Sequence, residues 1–156
     1  MMAALITANV YVFIKGDEEK TMFTATEAKV LVVDDIKTNL KVVNNFLDPY
    51  EMTVDMCLCG SDAIEMVKVE QYDLIFMDYR MPDMDGVEAT KRIRAITDEG
   101  MNFTDLPIIA LTADVVEGRK EMLIGNGFSD FMTKPIDADN LNNILEKWIP
   151  EHKKER

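Results

Sequence analysis

Histidine and cysteine are scarce in this chain, and that narrows its chemistry before any motif is considered. His152 is the only histidine, and Cys57 and Cys59 are the only cysteines, so no Cys/His set can complete a zinc site. The two thiols read as small buried or half-buried side chains in a reducing compartment. His152, in the charged ending PEHKKER, reads as a solvated residue with no role as ligand or phosphate carrier. Positive charge is also in deficit. The 29 Asp and Glu against 17 Lys and Arg give a net charge of −12, which repels phosphate backbones and anionic membrane surfaces and argues against nucleic-acid binding and direct membrane contact. Glycine and proline number only 7 and 5, while apolar residues make up 47%, a composition of packed rather than disordered chains. The one apolar stretch that could suggest export, MMAALITANVYVFI, has no basic residue ahead of it and is interrupted by Thr7 and Asn9. It falls short of the roughly 18 residues of a membrane-spanning candidate, and a cytoplasmic chain is expected.

What is present is a regular alternation. The runs KVLVV (29–33), MTVDM (52–56), DLIFM (73–77), PIIAL (107–111) and DFM (130–132) are candidate strands. Between the first two, Ile36, Leu40, Val43 and Leu47 form one stripe of a helix. Later helices present Ala63 and Val67; Ala89, Ile93 and Ile96; Val115, Val116, Met122 and Leu123; and Leu141, Ile144, Leu145 and Trp148, with Asp137 as a cap for the last. Apolar strands separated by amphipathic helices imply a parallel sheet covered on both faces, with functional groups gathered at the carboxyl ends of the strands. At 156 residues one domain is expected, over 28–150. Residues 1–27 then form an N-terminal extension or linker, and 151–156 a charged tail. The segment ALITANVYVFI is rich in β-branched and aromatic residues, and is expected to form an extra strand or to pack on a partner, as across a dimer.

The residues that follow these runs carry the chemistry. Asp34 and Asp35 follow the first, Asp78 the third, Thr112 the fourth, and Lys134 comes shortly after the fifth. Three carboxylates brought to one rim repel one another unless a divalent cation joins them, and an oxygen-only donor set favours a hard ion, Mg²⁺ above all. The Thr112 hydroxyl and the Lys134 ammonium suit phosphate oxygens. The set looks built for an aspartyl phosphate, with Asp78 as the nucleophile and metal, Thr and Lys neutralising the transferring group.

The blocks VLVVDD, LIFMDYRMPDMDG, PIIALTA and FMTKP resemble the receiver domain of two-component response regulators, from about Ala28 to Pro150. AKVLVVDD followed by TNLKVV, and then YDLIFMDYRMPDMDGVEATKRIR, are more like receivers attached to hybrid sensor histidine kinases than like those fused to DNA-binding domains. The resemblance implies a flavodoxin-like, doubly wound sheet of five parallel strands in the order 2-1-3-4-5, with five helices. It implies that Asp78 is the phosphoacceptor for a phosphohistidine on a sensor kinase or histidine phosphotransfer domain. By the same resemblance Asp35, Asp78 and the backbone carbonyl of Arg80 bind Mg²⁺, and Asp34 acts mainly through water. Thr112 moves toward the phosphate on activation, the Ala113 N–H holds it, Lys134 pairs with it, and Lys134–Pro135 is a cis peptide. Phe131 is the switch aromatic, and output goes through a face of helix 4, strand 5 and helix 5. Arg80 and Asp114 flank the mouth through which a hydrolytic water enters, so they gate dephosphorylation. Such a chain is not an enzyme beyond catalysing its own phosphorylation and dephosphorylation. A phosphotransferase of the haloacid dehalogenase type is the alternative; it is disfavoured because Arg80 stands where a general acid is needed and no cap encloses a small substrate.

Overall fold

The structure, a computed structural model, describes residues 6–7, 10–11, 23–97, 100–101, 103–114 and 116–156. Five strands form a parallel sheet: β1 (Lys29–Val33), β2 (Thr53–Cys57), β3 (Leu74–Asp78), β4 (Ile108–Thr112) and β5 (Asp130–Thr133), in the order β2-β1-β3-β4-β5. Helices α1 (Lys37–Leu47), α2 (Gly60–Val69), α3 (Gly86–Arg94), α4 (Arg119–Gly125) and α5 (Ala138–Trp148) complete the crossovers. This is the flavodoxin-like order expected.

Apart from Lys29 at the start of β1 and Asp78 and Thr112 at the ends of β3 and β4, the central strands are apolar because both their faces are covered. Val30, Val32, Leu74, Phe76, Ile109 and Leu111 face α1 and α5, meeting Leu40, Val43, Leu47, Leu141 and Leu145. The alternate residues Leu31, Val33, Ile75, Met77, Ile108 and Ala110 face α2, α3 and α4, meeting Ala63, Val67, Ala89, Ile93 and Leu123. Side chains cap two helices: Asp85 accepts from the Glu88 N–H and Asp137 from the Asn140 N–H, each at 2.8 Å. Cys57 is buried and Cys59 partly so, as expected of two free thiols. Among the described residues no helix is long and apolar enough to cross a membrane.

Several sequence expectations need correction. β2, β3 and β4 each lie one residue later than their apolar runs, so Asp78 and Thr112 are the last residues of strands, not the first residues after them. Ile36 is outside the buried stripe of α1 and is 52% exposed, because the Asp34 carboxylate accepts its N–H at 2.9 Å and α1 starts beyond it. Val116 precedes α4 and is exposed, Ile96 lies past the end of α3, and Val115 is outside the described residues.

The two ends of the folded unit meet. Phe23, within the expected linker, is 1% exposed and packs against Tyr50 with ring centroids 5.1 Å apart and planes tilted by 57°. Lys154 and Arg156 lie over its ring, at 5.3 and 5.8 Å from the centroid. Thr24 and Glu155 exchange two backbone hydrogen bonds, N–H of Thr24 to O of Glu155 at 2.9 Å and N–H of Glu155 to O of Thr24 at 2.7 Å. Lys153 bonds both Asp73 oxygens, and Arg156 grips the Glu146 carboxylate through two nitrogens. His152 is exposed in a short 3₁₀ turn. Further upstream, Ile6–Thr7 and Val10–Tyr11 pair antiparallel as a separate two-stranded ribbon that does not extend the main sheet. The rest of the opening segment, and residues 15–22 of the expected linker, lie outside the described residues.

Candidate functional site

The cleft lies at the carboxyl ends of β1, β3 and β4, where the sheet order reverses direction between β1 and β3. Asp34 and Asp35 leave β1, Asp78 ends β3, Thr112 ends β4, and Lys134 follows β5. One oxygen from each of Asp34, Asp35 and Asp78 falls within 4.8 Å of the others. Asp34 is fully buried, Asp78 is 6% exposed, and Asp35 is the more open of the three. The Lys134 ammonium bridges the two buried carboxylates, donating to Asp34 Oδ2 and to Asp78 Oδ1 at 3.0 Å each.

Asp34 is held on every side. Its Oδ1 accepts from the Ile36 N–H at 2.9 Å and from Asn39 Nδ2 at 3.4 Å, while Oδ2 takes Lys134. Asp78 has only Lys134 as a side-chain partner among the described residues. Burial raises its pKa above the ordinary carboxylate value; the Lys134 bond pulls it down, and the charges of Asp34 and Asp35 push it up again. For Lys134 burial works against the charge, but the bonds to Asp78 and Asp34 more than offset it and its pKa is raised. The loop after Asp78 is folded tightly beneath it. The Gly86 N–H bonds the Tyr79 carbonyl at 3.0 Å, and a Cβ at Gly86 would collide with the Asp78 carbonyl oxygen, so only glycine fits there. Lys134 is presented by the turn after β5, where its N–H bonds the Thr112 carbonyl at 2.8 Å and its bond to Pro135 is cis.

Asp35, Asp78, Arg80, Thr112, Ala113, Asp114 and Lys134 line one cavity of about 200 Å³. Thr112 is buried, and its hydroxyl is engaged by its own loop, donating to the Asp114 carbonyl at 3.1 Å and accepting from the Asp114 N–H at 3.3 Å. Arg80 and Asp114 are both exposed on the rim, and no ion pair within 4.0 Å joins them. Phe131 is half-buried on the edge strand β5 and packs on the α2–α4 side of the sheet. Sequence reasoning missed Asn39, whose amide reaches Asp34, and the pair Tyr79 and Arg119, which also line the cavity and stack 4.8 Å apart. Asn39 lies on α1 five residues after Asp34, a spacing no motif marked.

Such a site offers a nucleophilic carboxylate, an ammonium beside it, and an oxygen-rich pocket suited to a hard cation. The chain that carries it resembles known proteins. Over 134 residues the chain is 38% identical to the signal transduction histidine-protein kinase BarA of Escherichia coli, covering 86% of this chain and 14% of BarA. The chain thus spans about a seventh of the length of that relative. The crystal structure of the receiver domain of sensor histidine kinase PA1611 from Pseudomonas aeruginosa, with a magnesium ion coordinated in its active site cleft, superposes with a TM-score of 0.69 at 34% identity, over 78% of this chain and 96% of that one. The receiver domain of Ssk1 from Saccharomyces cerevisiae, solved with the histidine phosphotransfer protein Ypd1, gives a TM-score of 0.72 at 26% identity, over 82% and 91%. The sequence pattern of the response regulator receiver domain matches residues 30–146. Because that match runs from β1 into α5 and takes in the whole cleft, this chain belongs to the receiver domain family of two-component signalling.

Proposed function

We propose that Asp78 accepts a phosphoryl group from a phosphohistidine on a sensor histidine kinase or histidine phosphotransfer domain, in the cytoplasm, and thereby switches a partner-binding surface. The observation that carries this reading is the half-buried ammonium of Lys134 shared by the buried carboxylates Asp34 and Asp78 beside Asp35. Three carboxylates with no nitrogen or sulfur donor among them fit Mg²⁺. Asp35, Asp78 and the Arg80 backbone carbonyl would hold it, with Asp34 acting through water. When bound, it supplies charge neutralisation of the transferring phosphoryl oxygens.

In the transfer, an Asp78 oxygen attacks phosphorus, the P–N bond to the donor imidazole breaks, and the bonding pair leaves with the imidazole nitrogen. Lys134, already bonded to Asp78, pairs with the added oxygens, and the Ala113 N–H donates to them. The Thr112 hydroxyl must leave its turn with Asp114 to reach them, and that movement is the switch. Phe131, on the neighbouring strand, responds to it, and the face built by α4, β5 and α5 carries the output. Arg80 and Asp114 on the rim control entry of the hydrolytic water. The chain would catalyse only its own phosphorylation and dephosphorylation, because Arg80 offers no proton for a turnover of the haloacid dehalogenase type. The complex of Ssk1 with Ypd1 supports the class of partner.

The test is intact-mass and peptide analysis after acetyl phosphate treatment. One phosphoryl group is expected, on Asp78, only with Mg²⁺ present. Label persisting unchanged in Asp78→Asn would overturn the assignment.

A further inference from the structure

Arg119 is the first residue of α4, and its guanidinium carbon lies 4.8 Å from the centre of the Tyr79 ring. Both residues line the cavity that holds Asp78 and Lys134. Among the described residues the Tyr79 ring is the only partner of the Arg119 side chain, although carboxylates stand across the cleft. A cation at the lip of an acidic pocket, parked on an aromatic face, is held by an attraction that is weaker and less directional than a charge-assisted bond.

A phosphoryl group on Asp78 changes the balance. It replaces one negative charge with nearly two and adds three acceptor oxygens. Lys134 already directs two of its three N–H groups at Asp34 and Asp78, and Thr112 and Ala113 offer one donor each. A guanidinium has five donors in a planar fork that matches phosphate oxygens in pairs. Just before Arg119, Gly118 adopts a φ of +82° with open space around it, a backbone state that other residues resist.

We propose that Arg119 is a positioning residue for the phosphoryl group, stacked on Tyr79 while Asp78 is a free carboxylate and turned into the cleft once Asp78 carries the oxyanion. Its movement draws the first turn of α4 toward the site, so Arg119 couples the charge on Asp78 to a helix of the output face. This inference rests on the phosphoacceptor reading above.

The experiment measures Mg²⁺ binding, and then beryllofluoride binding in saturating Mg²⁺, to the full chain by calorimetry, with the Arg119 Nε–Hε resonance followed by NMR. Arg119→Gln is expected to weaken beryllofluoride binding about tenfold, equivalent to about 1.4 kcal/mol. Mg²⁺ binding should hold or tighten, since a cation has been removed from beside the carboxylates. Arg119→Lys, which keeps charge without the fork, should recover only part of the loss. In the wild-type chain the Arg119 resonance should move on beryllofluoride addition as it leaves the Tyr79 ring current. Equal beryllofluoride affinity in wild type and Arg119→Gln within twofold, an unmoved resonance, or parallel loss of Mg²⁺ and beryllofluoride binding would each overturn the inference. Failure of the wild-type chain to bind beryllofluoride with Mg²⁺ would instead overturn the phosphoacceptor reading itself, and this inference with it.

Discussion

Asp78→Asn should make the metal-free protein more stable. The Asp78 carboxylate lies 3.0 Å from the Lys134 ammonium, an attraction of about 5.5 kcal/mol at an effective dielectric constant of about 20. Against it stand two like charges within 4.8 Å, each repelling by about 3.5 kcal/mol on the same scale. Water around the more open Asp35 trims its share. The charge on Asp78 is therefore unfavourable by about 1 kcal/mol on this scale before its burial is counted. Asparagine keeps an oxygen facing Lys134 and removes the charge. The expected gain in chelator at pH 8 is about 1–2 kcal/mol, or roughly 2–8 °C in Tm for a chain of this size. Thermal melts followed by circular dichroism, with chelator and with Mg²⁺, measure it. The sign with pH follows from the raised pKa of Asp78. The folded state takes up a proton before the unfolded state does, so its penalty is present above the folded pKa and vanishes as pH falls below the unfolded carboxylate value. The gap between wild type and variant should therefore close on acidification. Mg²⁺ at 100 times its Kd should raise wild-type stability by about 2.7 kcal/mol, and the variant, lacking one ligand, should respond less. A variant that melts lower than wild type in chelator, or gains as much from Mg²⁺, would refute the reasoning.

Phe23→Ala should lower stability by about 3 kcal/mol, as for other large core truncations. A chain beginning at Thr26 should show at least as large a loss in denaturant unfolding, whereas one beginning at Met22 should not; equal midpoints for both truncated chains would refute the role of Phe23. Arg80→Ala and Asp114→Ala should each shorten the lifetime of phospho-Asp78 by more than twofold in quench-flow or mass measurements, and since no ion pair joins the two side chains their effects should multiply. Lifetimes unchanged within twofold would remove them as a gate.

The strand and helix alternation was legible because strands buried on both faces form nearly continuous apolar runs. Their ends were less so. Hydrogen bonding runs one residue past the last apolar side chain, so that Asp78 still pairs with Leu111 across β3 and β4. Ile36 fell on the correct helical period yet lies outside the helix, since a side-chain acceptor from Asp34 decides where α1 starts. Within the site, Asp34, Asp35, Asp78, Thr112 and Lys134 could be read because each sits at or just after a strand, and a parallel sheet brings such positions to one rim. The stack of Arg119 on Tyr79 and the burial of Phe23 under Lys154 and Arg156 could not. Those contacts join residues far apart in sequence, and no periodicity marks a cation for an aromatic ring.

The meeting of Thr24 with Glu155 has a mechanical consequence. These residues sit at the amino-terminal edge of the sheet, where Lys153 reaches Asp73 just ahead of β3, while the cleft occupies the opposite edge. Tension applied along the polypeptide from both sides enters and leaves at neighbouring points. It is borne first by the two backbone bonds between Thr24 and Glu155 and by the cations over Phe23. The strands that aim Asp78, Thr112 and Lys134 lie outside that line of force. A pull on the chain can peel this seam open while leaving the geometry of the cleft intact.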